Sequence, residues 1–245
     1  MFRHGAHTIG LVIAVALMTV SLQGCLFGGR SSGAPQGVEE VSHVDGKLAV
    51  DAYLFDVKFK QNGKRRSVRL DVFFADTIAL FTARGYLGKG VAKGVWRPDS
   101  SLFYFPTENE YYSGPLDELT RAGCASGGDL QRLVPMFLSG HLLFASSSDS
   151  TVVIDTRTEE RIEATVNLGT CETPVKLVFD YQSESPSYGR LYYLKEFSYI
   201  PEGGKDKFKD KNKVVGKRRI LKRGKGLERR KFTVNIPLDA KLVQW

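Results

Sequence analysis

Residues 53–64, YLFDVKFKQNGK, decide the fold of this chain. Large apolar side chains alternate with polar ones through Phe59, a period typical of a strand with one buried face. Asn62-Gly63 then favours a tight turn, because both residues accept positive φ at little cost. The alternation resumes immediately afterwards, from Val68 to Phe74. The two segments therefore predict an antiparallel hairpin.

The same period of two continues along most of the chain and predicts about 10–11 strands in all. Beyond the hairpin, the predicted strands cover residues 77–84, 91–97, 102–105, 110–112, 151–155, 161–167, 175–181, 191–199 and 231–236. Two short helices are predicted between them, at 115–121 and 129–138. A sheet of this size must curl, close or split. The expected fold is mainly β, a curled antiparallel sheet with a short helical lid or plug.

The N-terminus has the layout of a secretory signal peptide: a short basic start, an apolar run over 9–22 and a small residue before the cleavage site. The sequence Leu22-Gln23-Gly24-Cys25 resembles the bacterial lipoprotein box, in which the Cys becomes the lipidated first residue. We therefore predict a signal peptide over 1–24 and a lipidated flexible tether over 25–45. The folded domain follows at 46–240, with a C-terminal tail at 241–245. In the commonest sorting scheme, Leu26 after the lipidated Cys suits the outer membrane; the inner membrane is the alternative.

Two further cysteines remain once Cys25 carries lipid, and an exported chain favours a disulfide between them. The predicted bridge joins Cys124 and Cys171. Two buried free thiols are the alternative.

The positive charge is concentrated in one segment. Residues 205–231 contain 14 Lys and Arg against 3 Asp and Glu, a net charge of +11, whereas the whole chain carries +8. Export argues against nucleic acid, so anionic lipid headgroups are the predicted partner of this basic hairpin segment. A solvated, mobile hairpin is the alternative. The candidate surface residues are Lys217, Arg218, Arg219, Lys222, Arg223, Arg229 and Arg230.

Several short motifs give the chain a family resemblance. They are the Tyr86-Leu87-Gly88 turn, the strand 102–106, the stretch 108–112, the helix ending in Ser139-Gly140 and the ending FTVNIPLDA at 232–240. In this order they resemble the LolA/LolB-like lipoprotein-localisation superfamily, and within it the uncharacterised lipoproteins of LolB type. The resemblance covers most of residues 48–240.

The resemblance implies an unclosed antiparallel β-barrel with a helical lid over an apolar cavity that receives acyl chains. In the family's anchored member a Leu in the corresponding loop protrudes and helps cargo enter the membrane, and Leu87 matches it. The alternative is that the Leu87 side chain packs beneath a Gly-flanked turn. The basic segment 205–231 departs from the family pattern. A filled core would use the same aromatics as a cavity. The candidate cavity residues are Tyr53, Phe55, Phe59, Phe74, Phe103, Phe105, Tyr192 and Phe197.

Catalysis and metal binding have no support in the sequence. After the tether begins, only His43 and His141 remain as histidines, and neither lies beside a recognisable nucleophile motif. Histidines and cysteines are too few and too widely spaced for a zinc site. We therefore predict a protein that is not an enzyme and has no metal, cofactor or catalytic residue.

The predicted function is that of a lipid-anchored periplasmic lipoprotein. It binds acyl chains or lipoprotein cargo in an apolar cup, as a chaperone in protein transport, and aids lipoprotein insertion into the outer membrane. The alternative is an interaction lipoprotein that uses the same cup as a docking module in an envelope complex.

Overall fold

A computed structural model of the chain describes residues 50–61, 64–75, 78–97, 99–115, 134–135, 137–139, 152–167, 174–186, 189–200, 213–224 and 232–243. Within these ranges the chain forms one sheet of twelve strands. The strands are β1 Asp51–Gln61, β2 Lys64–Ala75, β3 Ile78–Arg84, β4 Gly90–Trp96, β5 Ser101–Phe105, β6 Glu110–Gly114, β7 Val152–Arg157, β8 Arg161–Val166, β9 Val175–Ser185, β10 Gly189–Tyr199, β11 Val214–Lys222 and β12 Lys241–Leu242.

The strand order is β12-β6-β5-β4-β3-β2-β1-β11-β10-β9-β8-β7. Each pair is antiparallel except β12 with β6, which is parallel. In the described residues β7 and β12 form the two edges and are not joined, so the sheet is unclosed. The prediction of a mainly β, unclosed sheet is confirmed.

The hairpin predicted from residues 53–64 is present. Register runs without interruption from Asp51 opposite Phe74 to Gln61 opposite Lys64. The large side chains of the alternation, at Tyr53, Phe55, Val57 and Phe59, are all buried, whereas Lys58 is exposed. This placement follows from the pleat, which sends successive side chains to opposite faces.

One face of the sheet, here called the aromatic face, carries the main core. Buried side chains from β1 to β6 and from β8 to β11 form a single apolar cluster on it, and β7 adds the partly buried Val152 and Ile154. Val134, Phe137 and Leu138 belong to the same cluster and cover part of this face. Residues 134–135 and 137–138 are helical, within the predicted helix 129–138. The rest of that helix, and the predicted helix 115–121 beyond its first residue, lie outside the described residues.

The prediction of a final strand over 231–236 is wrong. Residues 232–236 form no strand; Phe232 and Val234 instead pack on the face opposite the aromatic one, against Val95, Leu102 and Tyr104. An extended segment that buries every second side chain shows the same alternation as a strand, which explains the error. The chain joins the sheet later, at β12, where Lys241 lies opposite Glu110.

None of the described helical residues belongs to a helix long and apolar enough to cross a membrane.

Candidate functional site

All eight predicted cavity residues lie on the aromatic face and belong to its single apolar cluster. They come from four strands: β1, β2, β5 and β10. Each is buried, with at most 9% of its surface exposed. The sequence therefore identified one continuous layer. Burial alone does not distinguish a layer that lines a cavity from one that fills a core.

Small residues on neighbouring strands let the large rings lie along the sheet. Gly216 of β11 is directly opposite Phe197 of β10, and a Cβ atom at Gly216 would overlap the Phe197 ring. Gly94 stands in the same relation to Phe103 across β4 and β5. The absence of a side chain at these two positions makes room for each ring on its neighbour's backbone.

Tyr53 links the layer to the helix above it. Its hydroxyl donates a hydrogen bond to the carbonyl oxygen of Leu138 at 2.5 Å. Its ring stacks on Phe55 with centroids 5.8 Å apart and lies 6.4 Å from the ring of Tyr193. Burial raises the pKa of the Tyr53 hydroxyl well above its ordinary value, so this hydroxyl stays a donor.

Three buried polar atoms have no hydrogen-bond partner among the described residues: Trp96 Nε1, Ser101 Oγ and the Tyr199 hydroxyl. Trp96 and Ser101 are directly opposite each other on β4 and β5. Unpaired polar atoms in an apolar interior are costly and call for an explanation. The pair places two hydrogen-bond donors next to an apolar layer.

A charged group borders the layer at the end of β11. The Arg223 guanidinium lies over the Tyr193 ring, 4.5 Å from its centroid, and donates a hydrogen bond to the Ser183 hydroxyl. Burial raises the pKa of Asp51 to about 6, although the Arg223 charge and a hydrogen bond from the Gly224 amide lower it. Burial likewise raises the pKa of Tyr193 to about 12. Asp51 is therefore a carboxylate whose pKa, about 6, is well above its ordinary value.

Leu87 projects from the turn between β3 and β4. Its side chain is 80% exposed, and its backbone is left-handed, with φ at 60°. The turn is closed by a hydrogen bond from the Gly85 amide to the Lys89 carbonyl. A side chain packed beneath the turn, the alternative to a protruding one, is therefore wrong.

The predicted basic segment contributes a central strand. β11 lies between β1 and β10, so residues 214–222 are not a solvated hairpin. Lys217 pairs with Glu196 at 3.1 Å, and Arg219 pairs with Asp56 at 2.6 Å. Lys222 is exposed. Arg229 and Arg230 lie outside the described residues.

Arg218 fills an opening in the sheet. β10 and β11 pair only over residues 196–199 and 214–217, whereas β11 continues along β1 to Lys222. In the opening, Arg218 donates to the carbonyl oxygens of Tyr193 and Leu194, and to both carboxylate oxygens of Asp180 at 2.6 and 2.8 Å. Its side chain is only 8% exposed. Arg218 is one of the seven cations predicted to face lipid headgroups, but its charge is paired inside the sheet.

A second basic region was not predicted. Residues 57–70, VKFKQNGKRRSVRL, hold six Lys and Arg and no Asp or Glu. We call these residues the basic hairpin; its cations are Lys58, Lys60, Lys64, Arg65, Arg66 and Arg69. None of them forms an ion pair with a described residue, and all but Lys60 are exposed. The sequence feature that marks this region is a run of one charge sign, which is shorter than the basic run at 205–231.

The lipidation residue Cys25 and the predicted disulfide, Cys124 with Cys171, lie outside the described residues, as do His43 and His141. In the described ranges no group of three His, Cys, Asp or Glu side chains is placed to hold a metal ion.

No protein-family model matches this chain, and no curated protein matches it in sequence. Solved structures similar to it include the following three. An uncharacterized conserved protein from Thermus thermophilus has 10% identity and a TM-score of 0.38, over 80% of this chain and 90% of that one. A DUF1329 family protein from Desulfovibrio piger has 9% identity and a TM-score of 0.39, over 75% and 89%.

The third is a putative outer membrane lipoprotein-sorting protein domain from Vibrio parahaemolyticus. It has 8% identity and a TM-score of 0.34, over 75% of this chain and 88% of that one. Likeness at this level carries no argument about function.

Proposed function

We propose that this protein is a lipid-anchored lipoprotein of the bacterial envelope, held through Cys25, whose aromatic face binds an acyl chain or the acylated end of another lipoprotein. The outer membrane, on its periplasmic side, is the proposed location. The observation that carries the proposal is the one-sided apolar layer: a single cluster extends across the sheet, with helical residues placed over it. A binding role without catalysis fits this layer.

The unpartnered donors of Trp96 and Ser101 refine the proposed ligand. An acyl group brings carbonyl oxygens as well as hydrocarbon, and these oxygens accept hydrogen bonds. A ligand oxygen placed near the Trp96 and Ser101 pair would remove the cost of leaving their donors without a partner in the described part of the chain. An ester or amide of a fatty acid suits such a layer better than a pure hydrocarbon.

Leu87 is the proposed point of delivery into the bilayer. A left-handed backbone costs a non-glycine residue about 1 kcal/mol or more, and this one also places an apolar side chain in water. Neither feature stabilises the fold, so a functional reason is the better explanation. Insertion of the Leu87 side chain into the membrane surface supplies one.

The acyl proposal is tested with two adjacent residues whose side chains point to opposite faces of the sheet. Ala83 is fully buried on the aromatic face, whereas Thr82 points to the opposite face. If lipid occupies the layer, the full chain purified from its envelope carries noncovalent lipid detectable by mass spectrometry. The Ala83→Phe variant then loses most of that lipid, and Thr82→Phe retains it.

A specific observation favours the docking-module alternative: all eight aromatic candidates are already almost fully buried. If protein side chains fill the layer, Ala83→Phe overpacks a core and costs about 1–3 kcal/mol. Absence of copurified lipid from the wild-type chain, together with that loss of stability, would reject the acyl-binding function and leave the docking module.

The delivery role is tested with Leu87→Asn, because Asn tolerates the left-handed conformation. We expect unchanged or slightly higher stability, retained acyl binding and a large fall in transfer of labelled acyl cargo between vesicles. Val153→Asn changes another exposed apolar residue, on the edge strand β7, and serves as the matched control. Transfer at the wild-type rate in Leu87→Asn would remove the delivery role.

A further inference from the structure

The basic hairpin stands beyond its neighbours at one end of the sheet. The pairing of β3 with β2 ends at Arg84, which lies opposite Arg69. Residues 64–68 of β2 therefore extend past the end of β3. Five residues of strand span about 17 Å. On the other side β11 is last paired with β1 where Val215 lies opposite Lys58. Among the described residues, Lys60, Lys64 and Arg65 thus lie on a two-stranded tip.

Leu87 lies at the same end of the sheet. Arg84, the last residue of β3, is opposite Arg69 in the hairpin, and the Leu87 turn follows it directly. β11 also begins at this end, with Val215 opposite Lys58. The exposed leucine and the cations of the tip therefore point toward the same surroundings.

The described acidic side chains nearest in the fold are already used or distant. On the face shared with Lys58, Asp56 pairs with Arg219, and Asp71 pairs with Arg84 at 3.4 Å. Glu108 lies in the turn between β5 and β6, and Glu110 begins β6, three or more strands away from the hairpin. Three strand spacings amount to about 14 Å, which exceeds the screening length of about 8 Å at physiological salt. Within the part of the chain that the structure describes, the cations at the tip have no counter-charge.

Like charges also face each other directly in the hairpin. Lys60 lies opposite Arg65 across β1 and β2, an arrangement that destabilises a strand pair. Five of the six cations have no described acid directly opposite them; Arg69 lies opposite Asp56 but forms no ion pair with it. Cations held together in spite of this cost call for an external anion. An array of phosphates with an apolar interior beneath it would match both the cations and Leu87.

We propose that the basic hairpin binds the anionic headgroups of the bilayer in which the protein is anchored, and so orients the sheet with Leu87 toward the membrane. The proposal rests on the proposed lipid anchor, which keeps a bilayer within reach. It moves the headgroup site from residues 217–230, where most described cations have partners within the protein, to residues 58–69. Each basic residue near an anionic membrane surface contributes to attraction that salt weakens.

The test uses the full lipidated chain in nanodiscs of phosphatidylcholine, with or without phosphatidylglycerol, followed by hydrogen exchange of the backbone amides. We expect exchange at residues 60–66 to slow at least about fivefold with the anionic lipid, as one favourable charge contact predicts. High salt should abolish the slowing.

The triple variant Lys60→Gln, Arg65→Gln, Arg66→Gln should lose the slowing completely. The matched control, Lys217→Gln, Arg219→Gln, Lys222→Gln, removes the same charge from β11 and should keep it. Slowing that is absent in the wild type, insensitive to salt, or lost equally in both variants would overturn the proposal. The mass of the Cys25 peptide reports the anchor separately, so a failed anchor and a failed headgroup site give different results.

Discussion

Two basic regions of this molecule differ in whether their positive charges are paired within the described protein. β11 carries cations of the segment that dominates the charge of the sequence, and most of them have a partner: Lys217 pairs with Glu196, Arg218 with Asp180 and Arg219 with Asp56. The basic hairpin carries six cations, and none of them pairs with a described acid. β11 lies inside the sheet, whereas the hairpin tip extends past its neighbours.

The difference shows that charge density along a chain does not measure the charge available to a partner. A cation on a central strand has neighbours on both sides that can neutralise it, whereas the hairpin tip has no such neighbours within the described ranges of the chain. If this comparison is correct, changes in β11 alter folding, and changes in the hairpin alter binding.

The largest expected effect is the loss of the Arg218 guanidinium. Among the described residues, Arg218→Met leaves Asp180 with only Lys195, at 3.8 Å, and removes the donor to the carbonyl groups of β10. We expect a loss of about 3 kcal/mol in the free energy of unfolding, typical of a broken buried ion pair. Arg66→Met in the hairpin should stay within about 0.5 kcal/mol. Equilibrium denaturation of both variants measures the two changes in the free energy of unfolding. Equal changes would contradict the difference between the two basic regions.

A second effect concerns the packing of β11 rather than its charge. Gly216→Ala places a methyl group where the Phe197 ring lies, so we expect a loss of about 2 kcal/mol. Gly90→Ala is the control, because its new Cβ atom would lie 3.7 Å from Pro106, an ordinary contact. Adding Phe197→Leu to Gly216→Ala should restore part of the lost stability. No loss in Gly216→Ala would show that the ring moves freely.

The third effect is a dependence of stability on pH at the end of β11. The pKa of Asp51 is about 6 in the folded protein, against an ordinary value of 3.8, so the folded state binds this proton more tightly. The Asp51 contribution to stability therefore falls as pH rises from about 4 to about 6, and is constant above that. Asp51→Asn should remove this slope from urea unfolding curves. Arg223→Gln should move the midpoint to higher pH, because an attractive charge is lost; a slope that persists in Asp51→Asn would assign it to another group.

The smallest expected effect concerns the repulsion between like charges in the basic hairpin. In Arg65→Glu the new carboxylate lies opposite Lys60, so an attractive pair replaces a repulsive one. We expect a gain of about 0.5 kcal/mol in the free energy of unfolding. Lys222→Glu, whose cross-strand neighbour is Ala52, should change stability less. Thermal unfolding at low salt is the most sensitive measurement. A decrease in stability for Arg65→Glu would mean that the hairpin charges do not repel each other.

Most of the sheet was predictable because the alternation of apolar and polar residues is strong. The hairpin register follows from Asn62-Gly63, and all eight aromatic candidates fall on one face. The error at 231–236 has a physical origin: a segment that packs on a sheet shows the same period as one that joins it. Leu87 was selected by family resemblance, and its exposure is a property of a turn that no local pattern specifies.

The class of fold, the hairpin and the set of side chains that form the apolar layer follow from the amino-acid sequence, because the period of the pleat is local. Which strands are neighbours, and therefore which charges are neutralised, depends on long-range contacts in the folded protein. Arg218 and Asp180 are 38 residues apart, and β11 reaches β1 from the far end of the chain. Contacts of this range depend on strand order, which no local period encodes.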